Sequence, residues 1–185
     1  MNSRAIEPAA PADPPPGGVT VTVLRPADTA TTLLPLPAER SPFRWTARLT
    51  ANDGAAANTR LRARPRLTMS KWPGNIDAAA RVASHLADNA VRHGKPFPDD
   101  KIVLRLLAHG ETDELLVEVD DAFPDFPGFD QVANQSPEPR LSPSGLWWPA
   151  HYRGTISWDL KRDGDGMVIG KTVQALLPAT WDGSA

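Results

Sequence analysis

The sequence predicts an α+β fold, a two-layer α/β sandwich in which a mixed β-sheet carries helices on one face. Three observations predict it. Apolar residues from Ile76 to Val91 recur at helical spacing. The stretches 102–119 and 156–177 each read as two β-rich runs joined by a turn. Between the two hairpins, residues 122–144 hold five prolines and no periodicity, and a loop of that length is usually functional or mobile. With 185 residues, one domain is the expectation.

Taken in order, residues 1–18 are rich in Ala and Pro and end Pro14-Pro15-Pro16-Gly17-Gly18. They bury too little apolar surface to offset ordering entropy, so a disordered tail is expected. Val19 to Leu24 alternates and is β-branched, a candidate strand. Four prolines (Pro26, Pro35, Pro37, Pro42) and the polar run Ala51-Asn52-Asp53-Gly54 interrupt residues 25–59, leaving room for a short strand around 43–49. Residues 19–60 thus read as an N-terminal extension with one or more added strands.

From Arg60, the residues Leu61, Ala63, Pro65 and Leu67 alternate with Arg60, Arg62, Arg64 and Arg66. Period two predicts a strand with four arginines on one face, and Pro65 places it at an edge. A solvated outer face accounts for the arginines; a nucleic-acid stripe would need interleaved aromatics, and there are none. Trp72-Pro73-Gly74-Asn75 is a turn, with Asn75 a helix N-cap. The helix is expected over 75–92, stopped by Gly94. A loop at 95–100 leads to the hairpin of 102–108 with 115–119. A short helix follows at 145–152, then the hairpin of 156–160 with 168–177, turned at 162–166. Residues 179–185 fray, so the principal domain is expected to span 61–178.

Composition narrows the function classes. A net charge of -2 gives no bulk electrostatic case for nucleic acid or an anionic membrane. The absence of cysteine excludes disulfides and thiolate metal sites. No apolar run approaches about 18 residues, and the N-terminus has no apolar core of signal-peptide type. A cytoplasmic address is expected.

Four places can carry chemistry. His85 and Asn89 lie four apart, on one helix face. An amide oxygen is a hard ligand suited to Mg²⁺ that also touches phosphates; alternatively Asn89 bonds neighbouring backbone. Asp121 ends a strand and can accept a hydrogen bond from an exocyclic amine, or simply start a turn. Its neighbour Asp120, on the opposite strand face, is expected to be solvated. Gly170-Lys171-Thr172-Val173 lies inside a strand, so it is no phosphate-binding loop; Thr172 can line a pocket through its hydroxyl, or the glycine can mark a bulge. Ser144-Gly145 precedes Leu146-Trp147-Trp148, where backbone amides at a helix start suit a phosphate. The two tryptophans read as core or partner contacts. The four histidines show no metal-binding spacing, and no Gly-x-Ser-x-Gly is present.

In this order the motifs resemble the histidine-kinase-like (Bergerat) ATPase fold, and within it the bacterial anti-sigma-factor serine/threonine kinase group. That group carries Glu-Leu-x-x-Asn-Ala-x-x-His-Gly on its first long helix, matched by His85 to Gly94. Its adenine-binding strand end resembles Val117 to Asp121, its Gly-x-Gly-Leu resembles Pro143-Ser144-Gly145-Leu146, and its last strand matches Gly170-Lys171-Thr172-Val173. The match covers residues 66–178. The resemblance implies an ATP-binding regulator, with Asn89 holding Mg²⁺, Asp121 taking the adenine amine and Thr172 beside it. Residues 122–144 would be the ATP lid, and Arg92, Gly145 and Leu146 would complete the nucleotide site. It implies a protein partner, a sigma factor or an anti-anti-sigma-like protein, and a homodimer is in keeping with such relatives.

Three positions depart from that pattern. His85 stands where the family has its catalytic Glu; a neutral imidazole can accept a proton near pH 7, or the exchange ended catalysis. Ala122-Phe123-Pro124-Asp125 replaces the Gly-x-Gly expected after Asp121, and Pro143 has no N–H to offer a phosphate. Two functions are therefore expected in competition: a Mg-ATP-binding regulator with protein serine/threonine kinase activity, or a catalytically degenerate interaction module of the same fold.

Overall fold

The computed structural model describes residues 43–134 and 145–180. The tail, the strand expected at 19–24, loop residues 135–144 and residues 181–185 lie outside the described residues. Nine elements follow in order: β1 (Phe43–Thr50), α1 (Ala55–Met69), α2 (Ile76–His93), β2 (Lys101–Ala108), β3 (Leu115–Asp121), α3 (Phe129–Ala133), α4 (Trp147–His151), β4 (Thr155–Arg162) and β5 (Val168–Leu177). Both hairpins and the long helix stand where sequence periodicity puts them, and a short helix falls within 145–152 as expected.

The five strands run in the order β1-β2-β3-β5-β4, and every pairing is antiparallel. The expected mixed sheet is therefore corrected to an antiparallel one. The cause is the pair of helices between β1 and β2. One helical crossover returns the chain for parallel pairing; a second, α2 after α1, reverses it again. β1 is the short strand expected around 43–49, and it joins the sheet at its edge beside β2.

The arginine-rich stretch is the larger correction. Residues 60–66 form the middle of helix α1, not a strand. The buried residues of that helix are Ala55, Thr59, Ala63 and Leu67, spaced four apart along one helical stripe. Period two in Leu61, Ala63 and Leu67 was a subset of that stripe mixed with exposed Leu61. Arg, Ala and Leu are strong helix formers, which outweighs the single exposed Pro65. At about 100° per residue, the arginines split into two pairs, Arg60 with Arg64 and Arg62 with Arg66.

α2 starts at Asn75, whose side chain accepts from the Ala78 N–H at 2.9 Å, a cap that stabilises a helix by about 1 kcal/mol. Its buried alanines at 79, 80, 83, 87 and 90 let α1 approach on one side and the sheet on the other. Trp72, at the turn between the helices, donates its indole N–H to the Asp113 carbonyl at 2.7 Å. That bond ties the helix pair to the β2–β3 turn. The core lies between α2 and the inner sheet face, where Leu104, Leu106, Val117, Val119 and Ala175 are fully buried. Strand alternation sends the other set of side chains to the opposite, outer face. Among the described residues, no helix is long and apolar enough to cross a membrane.

Candidate functional site

The end of α2, the end of β3 and the start of β5 meet at one point, and two glycines let them meet. A Cβ at position 94 would lie 2.6 Å from the Asp121 carboxyl carbon, closer than packed atoms approach. Gly170 has φ +154, and a Cβ there would press into the Asp121–Ala122 backbone. The Ala122 N–H donates to the Lys95 carbonyl at 2.7 Å, closing the junction. Gly94 is therefore more than a helix stop: it admits the strand end that carries the carboxylate.

Asp121 is fully buried, on the core face of β3. Lys171, equally buried and directly opposite in register, donates from Nζ to Asp121 Oδ1 at 2.9 Å and to the Phe123 carbonyl at 3.1 Å. The Phe123 N–H donates to the same Oδ1 at 2.8 Å. The other carboxyl oxygen, Oδ2, is buried with no hydrogen-bond partner. Burial pushes the Asp121 carboxyl above its ordinary value, and the pull of Lys171 and of the Phe123 and Lys95 backbone amides does not cancel it.

Lys171 also lines a cavity of about 340 Å³, with Asn89 and His93 from α2, Asp125, Phe126 and Pro127 after β3, and Val132 of α3. That volume is at the small end of ligand pockets. Phe126 and Val132 give it an apolar wall, and Phe126 is braced edge-on by Phe129, with ring centroids 5.2 Å apart. Asn89, His93, Asp125 and Lys171 are its polar groups. An apolar wall with a few convergent polar groups is the usual make-up of a small-molecule pocket.

The remaining expected residues separate from this cavity. The Thr172 hydroxyl donates to Asp120 Oδ1 at 2.7 Å, on the outer face, so it does not sit beside Asp121. Asp120 itself is buried rather than solvated. Burial pushes its carboxyl up, but the Arg105 guanidinium, Lys161 and Thr172 outweigh that and hold it below the ordinary range. Arg92 is turned onto Asp88, one helical turn back, at 2.9 Å. Leu146 is buried in the core, and Gly145, at φ +56, is exposed at the edge of the described residues.

His85 stacks on Trp148, with ring centroids 5.6 Å apart and planes within 13°. The Arg81 guanidinium covers the Trp148 ring at 4.5 Å. Burial, then the charges of Arg60 and Arg81, lower the His85 pKa against the opposing pull of Asp88. The imidazole is a neutral ring packed in an aromatic and cationic layer.

For magnesium, the oxygen donors among the cavity residues are Asn89 and Asp125. No group of three or more His, Asp or Glu that could hold a metal ion occurs among the described residues. This donor set fits an ion whose coordination is completed by phosphates and water, which is the usual habit of Mg²⁺.

Lys171 is the site residue that motif reasoning passed over. A signal for it exists: it shares the strand face of Val173, Ala175 and Leu177, and a lysine on a core face needs a carboxylate partner. The same parity places Asp121 with Val117 and Val119. Phe126 and Val132 carried no signal, because a proline-rich loop has no period. Neither a protein-family model nor a curated protein sequence matches the chain.

Proposed function

We propose that the cavity beside Asn89 takes an adenine nucleotide with Mg²⁺, and that the protein is a regulator of anti-sigma type that binds nucleotide without transferring phosphate. The observation that carries this reading is the unpartnered Asp121 Oδ2 behind Lys171. It is an acceptor without a donor, and an exocyclic amine supplies one. An unsatisfied buried acceptor costs about 1–3 kcal/mol, which a ligand donor recovers. Asn89 and Asp125 would hold the metal, which neutralises phosphate charge when bound. The Phe126 face would pack against the base.

The absence of transfer follows from His85. Its ring is committed to Trp148 and flanked by Arg60 and Arg81, whereas a general base must reach the proton it removes. Regulation would then act on a protein partner, with a sigma factor or an anti-anti-sigma-like protein as the class to test.

Calorimetric titration with Mg-ATP tests this. Saturable binding is expected, insensitive to magnesium in Asn89→Ala, with no labelled phosphate moved to protein or water. Turnover by the wild-type protein would overturn the non-transferring part. One observation favours a second reading: Lys171 already occupies Asp121 Oδ1 from the cavity side. If a folded sample binds no ATP at millimolar concentration, that ion pair is a permanent plug and the fold serves as a protein-interaction module.

A further inference from the structure

The edge of the sheet farthest from β4 carries a second concavity. It has a volume of about 510 Å³ and lies between β1 and α1. Trp45, Thr46, Ala47 and Arg48 line it from the strand. Successive strand side chains point to opposite faces, so four consecutive residues border one groove only where that groove runs along the strand's edge. Among the described residues β1 pairs only with β2. Over Trp45–Arg48 its other edge has no strand partner among the described residues, and an edge of that kind offers backbone N–H and C=O groups for pairing.

The helix wall is formed by Leu61, Arg62, Pro65 and Arg66. Leu61 is 73% exposed, a large apolar side chain beside an open strand edge. Pro65 has no N–H to give the Leu61 carbonyl. Arg66 lies over the Trp45 ring at 5.9 Å. Arg62 and Arg66 make no ion pair among the described residues; Arg48 is paired with Asp99 at the surface. The wall is basic in a chain whose net charge is -2.

We propose that this groove docks an acidic, extended segment of a partner protein, which adds to β1 as a further strand. Strand addition supplies main-chain hydrogen bonds, and alternate side chains supply specificity. Carboxylates on the segment would meet Arg62 and Arg66, and an apolar side chain would cover Leu61. A second copy of this chain is a poor occupant, because a two-fold pairing of β1 edges brings the same arginines face to face. The groove is remote from Asp121, two strands away in the sheet, so the proposal stands apart from the nucleotide reading.

The test uses the full chain and a fluorescent synthetic peptide of alternating Glu and Val, read by anisotropy. Saturable binding is expected, weakened at least about tenfold in Arg62→Glu/Arg66→Glu, a loss of about 1.4 kcal/mol. Both arginines are exposed, and an unchanged thermal melt confirms that this variant folds. A peptide N-methylated at alternate residues keeps the charge and loses half the backbone donors; its binding is expected to vanish. Equal binding of the N-methylated peptide, tighter binding of single-stranded DNA, or no binding of the acidic peptide to folded protein would overturn the proposal.

Discussion

Asp120 and Asp121 are chain neighbours with the same side chain, and both are fully buried. Their fates are opposite. Asp120 faces outward into the Arg105 guanidinium, Lys161 and Thr172, and its proton affinity falls. Asp121 faces inward to one lysine and to the backbone amides of Phe123 and Lys95, with Oδ2 making no hydrogen bond, and its proton affinity rises. A single step along the strand decides this, because parity selects the face. Burial is equal for the two, so the partners make the difference. Saturation with donors turns a carboxylate into scaffold, whereas shortage leaves a buried oxygen unsatisfied.

Removing the saturated carboxylate is the strongest way to break this contrast. Asp120→Ala strands Arg105 with only Glu118 and leaves Lys161 without its partner. Breaking such a buried pair is expected to cost about 3 kcal/mol of stability, read from denaturant unfolding. Lys171→Met comes next, at about 2 kcal/mol, because Asp121 can take up a proton and neutralise itself. That loss should shrink on acidification, which separates it from an ordinary packing defect.

The pH dependence sharpens the contrast further. The depressed Asp120 contributes stability above the unfolded carboxylate pKa of about 3.9, and this is lost as pH falls through its lower folded value. The raised Asp121 acts the other way: stability declines as pH rises through its folded value, since the native state holds the proton longer. Asp121→Asn should therefore flatten the decline on the alkaline side of pH 4 and leave the acid limb in place. A smaller effect is expected at the helix start, where Asn75→Ala loses the cap to Ala78, about 1 kcal/mol. The smallest is Arg92→Ala, an exposed pair on one helix, with no measurable change in the melt.

Much of the molecule was legible in its sequence because two periods are hard to confuse over long runs. α2 announced itself through eight apolar positions and an Asn cap, and both hairpins through alternation broken by turn residues. α1 was illegible for a specific reason. Arg60 to Leu67 satisfies period two over eight residues while its true stripe, Ala55-Thr59-Ala63-Leu67, contains a threonine and two alanines. Small or polar residues carry little hydropathy signal, and Pro65 pointed the same wrong way. The antiparallel direction of pairing was likewise hidden until two helices, not one, were seen between β1 and β2.

Motif order singled out Asn89 and Asp121; Asn89 lines the cavity that Lys171 also lines, and Lys171 bonds Asp121. Thr172 was assigned to the wrong aspartate because motif spacing does not state parity. Counting from Val173 inward would have moved it to the outer face.

The proposal turns on Asp121, not Asp120, as the acceptor that a nucleotide base would use. The direct measurement is calorimetric titration of Mg-ATP into Asp121→Asn and Thr172→Val, each first shown to be folded by its thermal melt. Asp121→Asn is expected to abolish binding, while Thr172→Val, on the outer face, is expected to retain wild-type affinity within about twofold. Loss in Thr172→Val with binding kept in Asp121→Asn would contradict it.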